Sequence, residues 1–533
     1  MDKVLIQKDS YFDSVFLMLI NSEIKEHEGV SDAVVAMGTE MNLKLLSDMK
    51  LHDPGLEGLT PNDLIIAVRG DREDKLETAI SAAMEMLTKK AKKSSGRKFV
   101  PRTLGAALRE NPDANMVLIS LPGQYAAREA RKALENGLHV MLFSDNVSLD
   151  EEVELKKLAV EKGLLMMGPD CGTAIINGVP LCFANVVKRG PIGVVGASGT
   201  GLQEVTCLID KFDGGISQAI GTGGRDLKNE QVGGRMMLLG IEALRNDDAT
   251  SVIVVISKPP APEVADTVLA ALKKSGKPAV IHFIGMEISQ LTGPEADEKA
   301  QAGANIQFAS NLEETARMAV ALAEGKDFSP AGYSLPAEQI QTIINREIEG
   351  ISPKQKYLRG LYTGGTLADE SLILLEKALG RIYSNNQGDE DLQLKDPHTS
   401  VEHTIVDLGD DIYTVGRAHP MIDPSTRVDR LKSEAEDPEV AVLLLDIVLG
   451  YGSHKDPAGA ILPALEEARE KAAARGGYLP VITSVTGTTA DFQGFERTVE
   501  KLESIGCIVM PSNYQAARLT LDLLGALGKK RGE

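Results

Sequence analysis

One phrase occurs twice in this chain, and a duplication limits the fold more than composition does. Ile192 opens Ile-Gly-Val-Val-Gly-Ala-Ser-Gly-Thr-Gly-Leu-Gln-Glu, and Leu358 opens Leu-Arg-Gly-Leu-Tyr-Thr-Gly-Gly-Thr-Leu-Ala-Asp-Glu. Each is a short apolar run, a Gly/Ser/Thr turn, then an acidic residue inside an apolar-periodic helix. A second pair follows: Asp248-Ala-Thr-Ser-Val-Ile-Val-Val-Ile-Ser against Asp437-Pro-Glu-Val-Ala-Val-Leu-Leu-Leu-Asp. Gly199 and Gly365 lie 166 positions apart, Asp248 and Asp437 189 apart; the polar stretch Ser384 to Ser400 is the expected site of an insertion of about 23 residues in the second copy. Each copy aims a phosphate-sized turn from the carboxyl end of a buried strand, backbone N–H groups outward.

A chain of 533 residues is too long for one core, and three domains are expected. Strand-length apolar runs stand at Val4–Ile6, Ala33–Ala36, Leu64–Val68, Met116–Ile119, His139–Phe143 and Leu164–Met167. They alternate with helical segments such as Ala126–Asn136 and Leu149–Lys162, the pattern of crossover units and parallel sheets. Lys92 to Lys98 reads as an exposed basic excursion, and Pro330 to Gln355 as an interdomain linker around one short helix. A net charge of −20 argues against nucleic acid or an anionic membrane as partner. No apolar run reaches the roughly 18 residues of a membrane span, and Met1-Asp2-Lys3-Val4 begins a strand, not a signal peptide. Cys171, Cys182, Cys207 and Cys507 lack CxxC spacing, so no metal site or disulfide framework is indicated and a reducing, cytoplasmic compartment is expected.

In the first turn, Ser198, Gly199 and Thr200 offer a close-approaching backbone, two hydroxyls and the N-terminus of the following helix. The second copy offers Gly364, Gly365 and Thr366. Phosphate or carboxylate binding is one reading, and a tight strand-to-helix joint made for packing is the other. A further loop in each copy carries Arg225 and Arg417, either carboxylate clamps or surface ion pairs. His454, in Gly-Tyr-Gly-Ser-His-Lys-Asp-Pro after a strand, stands where a general acid/base would, although loop histidines are commonly structural; His419 reads the same way, and His27 and His52 as surface residues. No Ser/His/Asp order, metal-ligand cluster or Walker-type loop is apparent.

Ser120-Leu-Pro-Gly-Gln-Tyr, the helix and strand to Phe143, and Met167-Gly-Pro-Asp-Cys-Gly resemble the CoA-binding half of the succinyl-CoA synthetase α subunit. The first repeat resembles that subunit's ligase domain, and the second resembles the β-subunit ligase domain fused in one chain. Tyr11-Phe-Asp-Ser-Val-Phe-Leu-Met, Gly168-Pro-Asp-Cys-Gly-Thr-Ala and Gly416-Arg-Ala-His-Pro-Met-Ile-Asp-Pro are similar to the FdrA family across essentially the whole chain. The resemblance implies an α/β protein: a Rossmann-like CoA-binding-type domain over 1–188, a flavodoxin-like ligase domain over 189–328, a linker over 329–355 and a second flavodoxin-like ligase domain over 356–526. It also implies that the two ligase domains hold one phosphate between paired helix N-termini. CoA is the cofactor it brings, near Pro122, Gly123, Ser144 and Asn146.

The departures matter as much. The synthetases relay phosphate through a histidine in Gly-His-Ala-Gly-Ala, but this chain has no histidine between Phe283 and Ala302. An ATP-grasp module is absent, the N-terminal glycine turn is Gln7-Lys8-Asp9-Ser10-Tyr11, and the loop that helps seat CoA reads Ser144-Asp-Asn-Val-Ser, which weakens the CoA expectation. The FdrA resemblance implies one subunit of an oxamate carbamoyltransferase of anaerobic allantoin breakdown. Ser198, Gly199, Thr200, Gly364, Gly365 and Thr366 would then hold phosphate, Arg225 or Arg417 a substrate carboxylate, and His454 a proton. Companion subunits and a homo-oligomer are expected. The alternatives are an acyl-CoA ligase-like enzyme with a separate nucleotide-binding partner, and a non-catalytic metabolite-binding scaffold.

Overall fold

The computed structural model describes residues 1–532 except 13, 26, 50, 52, 95–100, 287–304, 329, 331 and 415–416. His52, part of the basic excursion at 92–98, most of the stretch expected to lack the relay histidine, and Gly416 therefore lie outside the described residues. The chain divides into two compact units, residues 1–110 with 411–419, and residues 111–410 with 420–533.

In the first unit, strands β1 (Asp2–Gln7), β2 (Val30–Met37) and β3 (Leu64–Gly70) form an antiparallel sheet in the order β1-β3-β2. Parallel pairing of a Rossmann-like domain was the expectation for this stretch. The run Leu64–Val68 misled because any central strand covered on both faces reads as continuously apolar, whichever way its neighbours run. Leu64, Ile66 and Val68 pack into one cluster with Leu17, Ile20 and Leu76, while Ile65 and Ala67 pack on the other face with Leu46 and Leu51.

The second unit begins with a three-stranded parallel sheet of β4 (Met116–Ile119), β5 (His139–Leu142) and β6 (Met166–Met167). A hairpin of β7 (Thr173–Ile176) and β8 (Val179–Cys182) then joins the edge of the first-repeat sheet, formed by β9 (Arg189–Ala197), β10 (Ile216–Gly221), β11 (Val252–Ser257), β12 (Ala279–Phe283) and β13 (Ile306–Phe308). Its order is β13-β12-β11-β9-β10. The second repeat comprises β14 (Tyr357–Tyr362), β15 (Thr404–Asp407), β16 (Val440–Val448), β17 (Val481–Thr486) and β18 (Ile508–Met510) in the order β15-β14-β16-β17-β18. Numbered within each repeat, both sheets read 2-1-3-4-5, the flavodoxin-like winding, so the turn after each first strand opens at a topological switch point. Every residue of β11 and β16 is buried, as strands covered by helices on both faces require.

Buried side chains of the two repeats form one continuous cluster that includes Val194, Leu202, Leu208, Leu367, Leu372, Ala516 and Leu523. The expected linker belongs to it. Helix Ala337–Glu349 buries Ile340 and Ile344 there, and Tyr333 Oη donates to Asp522 Oδ2 at 2.7 Å.

The acidic residue of each repeated phrase has a defined task. Glu204, on helix Gly199–Lys211, accepts the Asn513 N–H at 3.0 Å, at the start of helix Asn513–Arg531 in the other repeat. Glu370, on helix Gly365–Leu379, accepts the Leu312 N–H at 2.8 Å, at the start of helix Leu312–Ala323. Each repeat thus supplies a carboxylate to the positive end of a helix in its twin. Burial raises the Glu370 carboxyl to about 7, opposed by the Leu312 N–H and the Asn513 side chain. Glu370→Ala leaves a buried N–H unsatisfied and is expected to cost roughly 1–3 kcal/mol, read as a lower denaturant midpoint. An unchanged midpoint would refute the capping role.

Candidate functional site

The two glycine turns meet. Ser198 is the extended N-cap residue of helix Gly199–Lys211, yet its side chain does not cap that helix. Its Oγ lies 2.7 Å from Thr366 Oγ1, on the first turn of helix Gly365–Leu379. Gly364, the N-cap residue of that second helix, has no side chain to cap with. A Cβ at Gly364 would lie 2.8 Å from Thr200 Cγ2, and one at Gly201 would lie 2.9 Å from Thr366 Cγ2. By the 166-residue offset the Ser198–Thr366 contact corresponds to the Gly364–Thr200 contact, and glycine at 201 and 364 lets the helix starts approach. Thr200, 7% exposed, has no hydrogen-bond partner for its hydroxyl among the described residues. Gly199 faces open space, its nearest neighbour being Thr173 Oγ1, 3.8 Å from a Cβ placed there. Two helix N-termini without side-chain caps, with hydroxyls between them, offer orphan N–H groups and positive dipole ends suited to one shared anion. Gly364→Ala pushes a methyl into Thr200 and is expected to cost about 1–3 kcal/mol, while Gly199→Ala is near neutral. Equal melting temperatures for the two variants would contradict the close approach.

The halves are not equivalent in charge. In the second repeat, Asp446, fully buried in β16, accepts the Thr363 N–H at 2.9 Å and the Gly364 N–H at 2.8 Å, and pairs with Arg427 at 2.7 Å. Part of the expected phosphate cradle is thus filled by the protein's own carboxylate. Strand β11, Val-Ile-Val-Val-Ile-Ser, carries no such acid. Asp407, at the end of β15, is the register partner of Tyr362 where the first repeat pairs Gly196 with Gly221. Its Oδ1 accepts the Gly409 N–H at 2.9 Å, and its Oδ2 lies 3.3 Å from Asn386 Nδ2 and 2.4 Å from where a Cβ on Gly365 would stand. Lys258, after β11, pairs across the repeats with Asp369 at 2.6 Å.

Burial raises the Asp407 carboxyl to about 7; Lys258 and the Gly409 N–H oppose this, and Asp369 and Asp410 add to it. Burial pulls the Lys258 ammonium down, but Asp369 and Asp407 outweigh it and leave it raised. Because the folded chain keeps a proton on Asp407 that the unfolded chain releases near pH 4, its contribution to stability is full below about pH 4 and fades as pH rises through about 7. Asp407→Asn should flatten that decline, by a few kcal/mol at most, in urea midpoints measured from pH 4 to 8. Parallel curves for the two proteins would refute the assignment.

Other expected site residues are placed differently. Arg225 gives its Nε to Glu152 at 2.7 Å and its Nη2 to Val147 O at 2.7 Å, beside the buried Lys156–Asp226 pair at 2.9 Å, so it ties its loop to helix Leu149–Lys162 and the residue before that helix's cap, where a substrate clamp was expected. Arg417 is exposed and belongs with the unit of residues 1–110, not with the repeats. His454 is half-buried; its Nδ1 accepts the Asp456 N–H at 3.1 Å, which leaves the neutral ring's proton on Nε2. Pro122 is the N-cap residue of helix Gly123–Glu135. A Cβ on Gly123 would lie 2.4 Å from the carbonyl oxygens of Asp145 and Asn146, and buried Ser144 accepts the Asp170 N–H at its carbonyl. The close approach of the 145–146 carbonyls to Gly123 brings the stretches that hold these four residues together. Among the described residues no group of three or more His, Cys, Asp or Glu is arranged to hold a metal ion, and no helix is long and apolar enough to cross a membrane.

Comparison with known proteins gives this geometry its relatives. The protein YahF of Escherichia coli (strain K12) is 44% identical over 522 residues, covering 98% of both chains. This chain belongs to the FdrA family, with YahF. Family profiles match in three places: "AllF, heavy metal-associated domain" over residues 1–101, "CoA binding domain" over 187–285 and "CoA-ligase" over 361–523. Residues 1–101 contain no cysteine, so the first match brings no thiolate ligands. The CoA-binding match falls on the first repeat, C-terminal to the Pro122–Asn146 stretch where CoA was expected. Farther relatives are the α subunit of the ADP-forming succinate–CoA ligase of Aquifex aeolicus, 27% identical over 38% of this chain and 65% of that one, and the ADP-forming sulfoacetate–CoA ligase subunit SqwL of Acholeplasma, 27% identical over 36% and 64%. Among solved structures, ATP citrate lyase from Methanothrix soehngenii with citrate and coenzyme A aligns over 81% of this chain and 86% of that one, at 14% identity and a TM-score of 0.33. The CoA-binding and CoA-ligase profile matches, with the succinate–CoA ligase relative, relate the family to the acyl-CoA synthetases.

Proposed function

We propose that this chain is one subunit of an acyl-group-transferring complex of the acyl-CoA synthetase type, and that it holds the phosphate end of an acyl phosphate where the two glycine turns meet. The observation that carries the reading is the Ser198–Thr366 contact at 2.7 Å between two helix N-termini that lack side-chain caps. A mixed anhydride of phosphate needs stabilisation of the charge that builds on its phosphate as the acyl bond breaks. Fixed N–H groups and hydroxyls supply it without reorganisation. Gly199 and Thr200 contribute from the open first half, Thr366 from the second, and Lys258 adds a positive charge nearby. The relatives named for succinate–CoA and sulfoacetate–CoA ligation support an acyl-CoA chemistry, with nucleotide binding left to a companion chain.

A second reading, transfer of a carbamoyl group between carbamoyl phosphate and oxamate or oxalurate, is favoured by one feature. No histidine stands between Phe283 and Ala302 to take up phosphate, and an already activated carbamoyl phosphate needs none.

Gly199→Asp tests the shared core of both readings, because it adds a negative charge where there is room for a side chain. Its expected effect is at least a tenfold loss of inorganic phosphate binding by calorimetry, with an unchanged melting temperature. Wild-type affinity in that variant, or no binding by the parent protein, overturns the proposal. With companion subunits present, CoA-dependent nucleotide turnover supports the first reading and phosphate-dependent oxalurate cleavage the second.

A further inference from the structure

We infer that Asp407 is an acidic member of the anion site, binding as the neutral carboxylic acid and donating its proton in a hydrogen bond to an oxygen of the bound anion. The inference rests on the reading of the turn junction as an anion pocket. Asp407 Oδ1 is committed to the Gly409 N–H at 2.9 Å, which turns Oδ2 toward Gly365, the first residue of helix Gly365–Leu379. Among the described residues, the one hydrogen-bond partner of Oδ2 is Asn386 Nδ2, at a long 3.3 Å. An anion drawn to that helix start meets this oxygen. An ionised carboxylate there would repel it, and a protonated one would bind it. Thr200 points to a ligand independently: the residue is more than nine-tenths buried, and its hydroxyl lacks a partner among the described residues and lies 2.9 Å from a Cβ position on Gly364.

The charged groups acting on Asp407 are Lys258 from the end of β11, Asp369 from helix Gly365–Leu379 and Asp410 from the loop after β15. Lys258 is already paired with Asp369 at 2.6 Å, so a second anion at the junction leaves Asp407 without a full counter-charge. Proton uptake by Asp407 removes that conflict. Asn385 holds the backbone at Asp407, accepting its N–H at 3.0 Å and donating to its carbonyl at 3.1 Å, which keeps the carboxyl in place in either state. During acyl transfer the same proton has a destination. The acyl–oxygen bond of the mixed anhydride breaks, phosphate leaves with the bonding electrons, and Asp407 gives its proton to the departing phosphate; the attacking group's proton, released to solvent, is matched by reprotonation of Asp407 from solvent before the next turnover.

Sulfate is the probe, since it stays a dianion from pH 6 to 9 and brings no titration of its own. For the full-length wild-type chain, the sulfate dissociation constant should rise about tenfold per pH unit above the Asp407 midpoint. Calorimetry in buffers of different ionisation enthalpy should show close to one proton taken up per sulfate bound at pH 8. Asp407→Asn, which presents a permanent N–H donor in place of the acid, should bind with an affinity independent of pH and take up no proton. Asp407→Ala should bind weakly throughout. The inference falls if wild type and Asp407→Asn share one pH dependence and one proton count while Gly199→Asp still abolishes binding, because the pocket is then real and Asp407 is no part of it. If sulfate binds none of these proteins, the anion pocket itself is refuted and the role of Asp407 with it.

Discussion

Two helices that start nose to nose repel, because each presents a partial positive charge and unpaired N–H groups. The body of this protein is arranged around that conflict. Glycine at positions 201 and 364 allows the approach, and the Ser198–Thr366 contact fixes its register. Farther along the same helices, Glu204 and Glu370 serve the starts of two more helices, each in the opposite repeat. Four helix N-termini therefore converge across one pseudo-symmetric seam, and acids from both copies neutralise it.

The symmetry stops at the chemistry. Asp446 closes the second turn from within, and the Arg427 pair makes its burial tolerable. Asp407 and the Lys258–Asp369 pair crowd the same side. The first turn keeps an open Gly199 and a Thr200 hydroxyl that is unengaged among the described residues. A duplicated phrase has thus become one receiving half and one half that carries its own charges, and polarity of that kind lets a symmetric seam bind an unsymmetrical molecule in one orientation.

The strands and the doubled turn were legible because apolar runs and glycine punctuation report local geometry directly. Met116–Ile119 and Leu149–Lys162 fall where the periodicity put them. Asp407 and Asp446 were not legible as site residues, since an acid inside or at the end of an apolar strand shows only that something must pair with it. Asp446 finds its partner in Arg427, 19 residues earlier on another element. Arg225 looked like a clamp because its partner, Glu152, lies on a distant helix that spacing does not reveal. Antiparallel pairing in residues 1–110 was hidden for a related reason: burial pattern records how many faces are covered, not strand direction. The stretch Ser384 to Ser400 signalled an insertion, and its yield, Asn385 and Asn386 against Asp407, is a purely tertiary fact.

One core shared by both repeats has a consequence for how the protein comes apart. Leu202 and Leu367 sit in the same apolar cluster as Ile340 and Ile344 from the connecting helix, so neither repeat has a complete interior of its own. Melting one would strip the other of its inner face, and the pair is therefore a single cooperative folding unit. A protease cut in the connection at 329–355 would sever the backbone without parting the halves, because the broken ends remain held by the surface that folding buried.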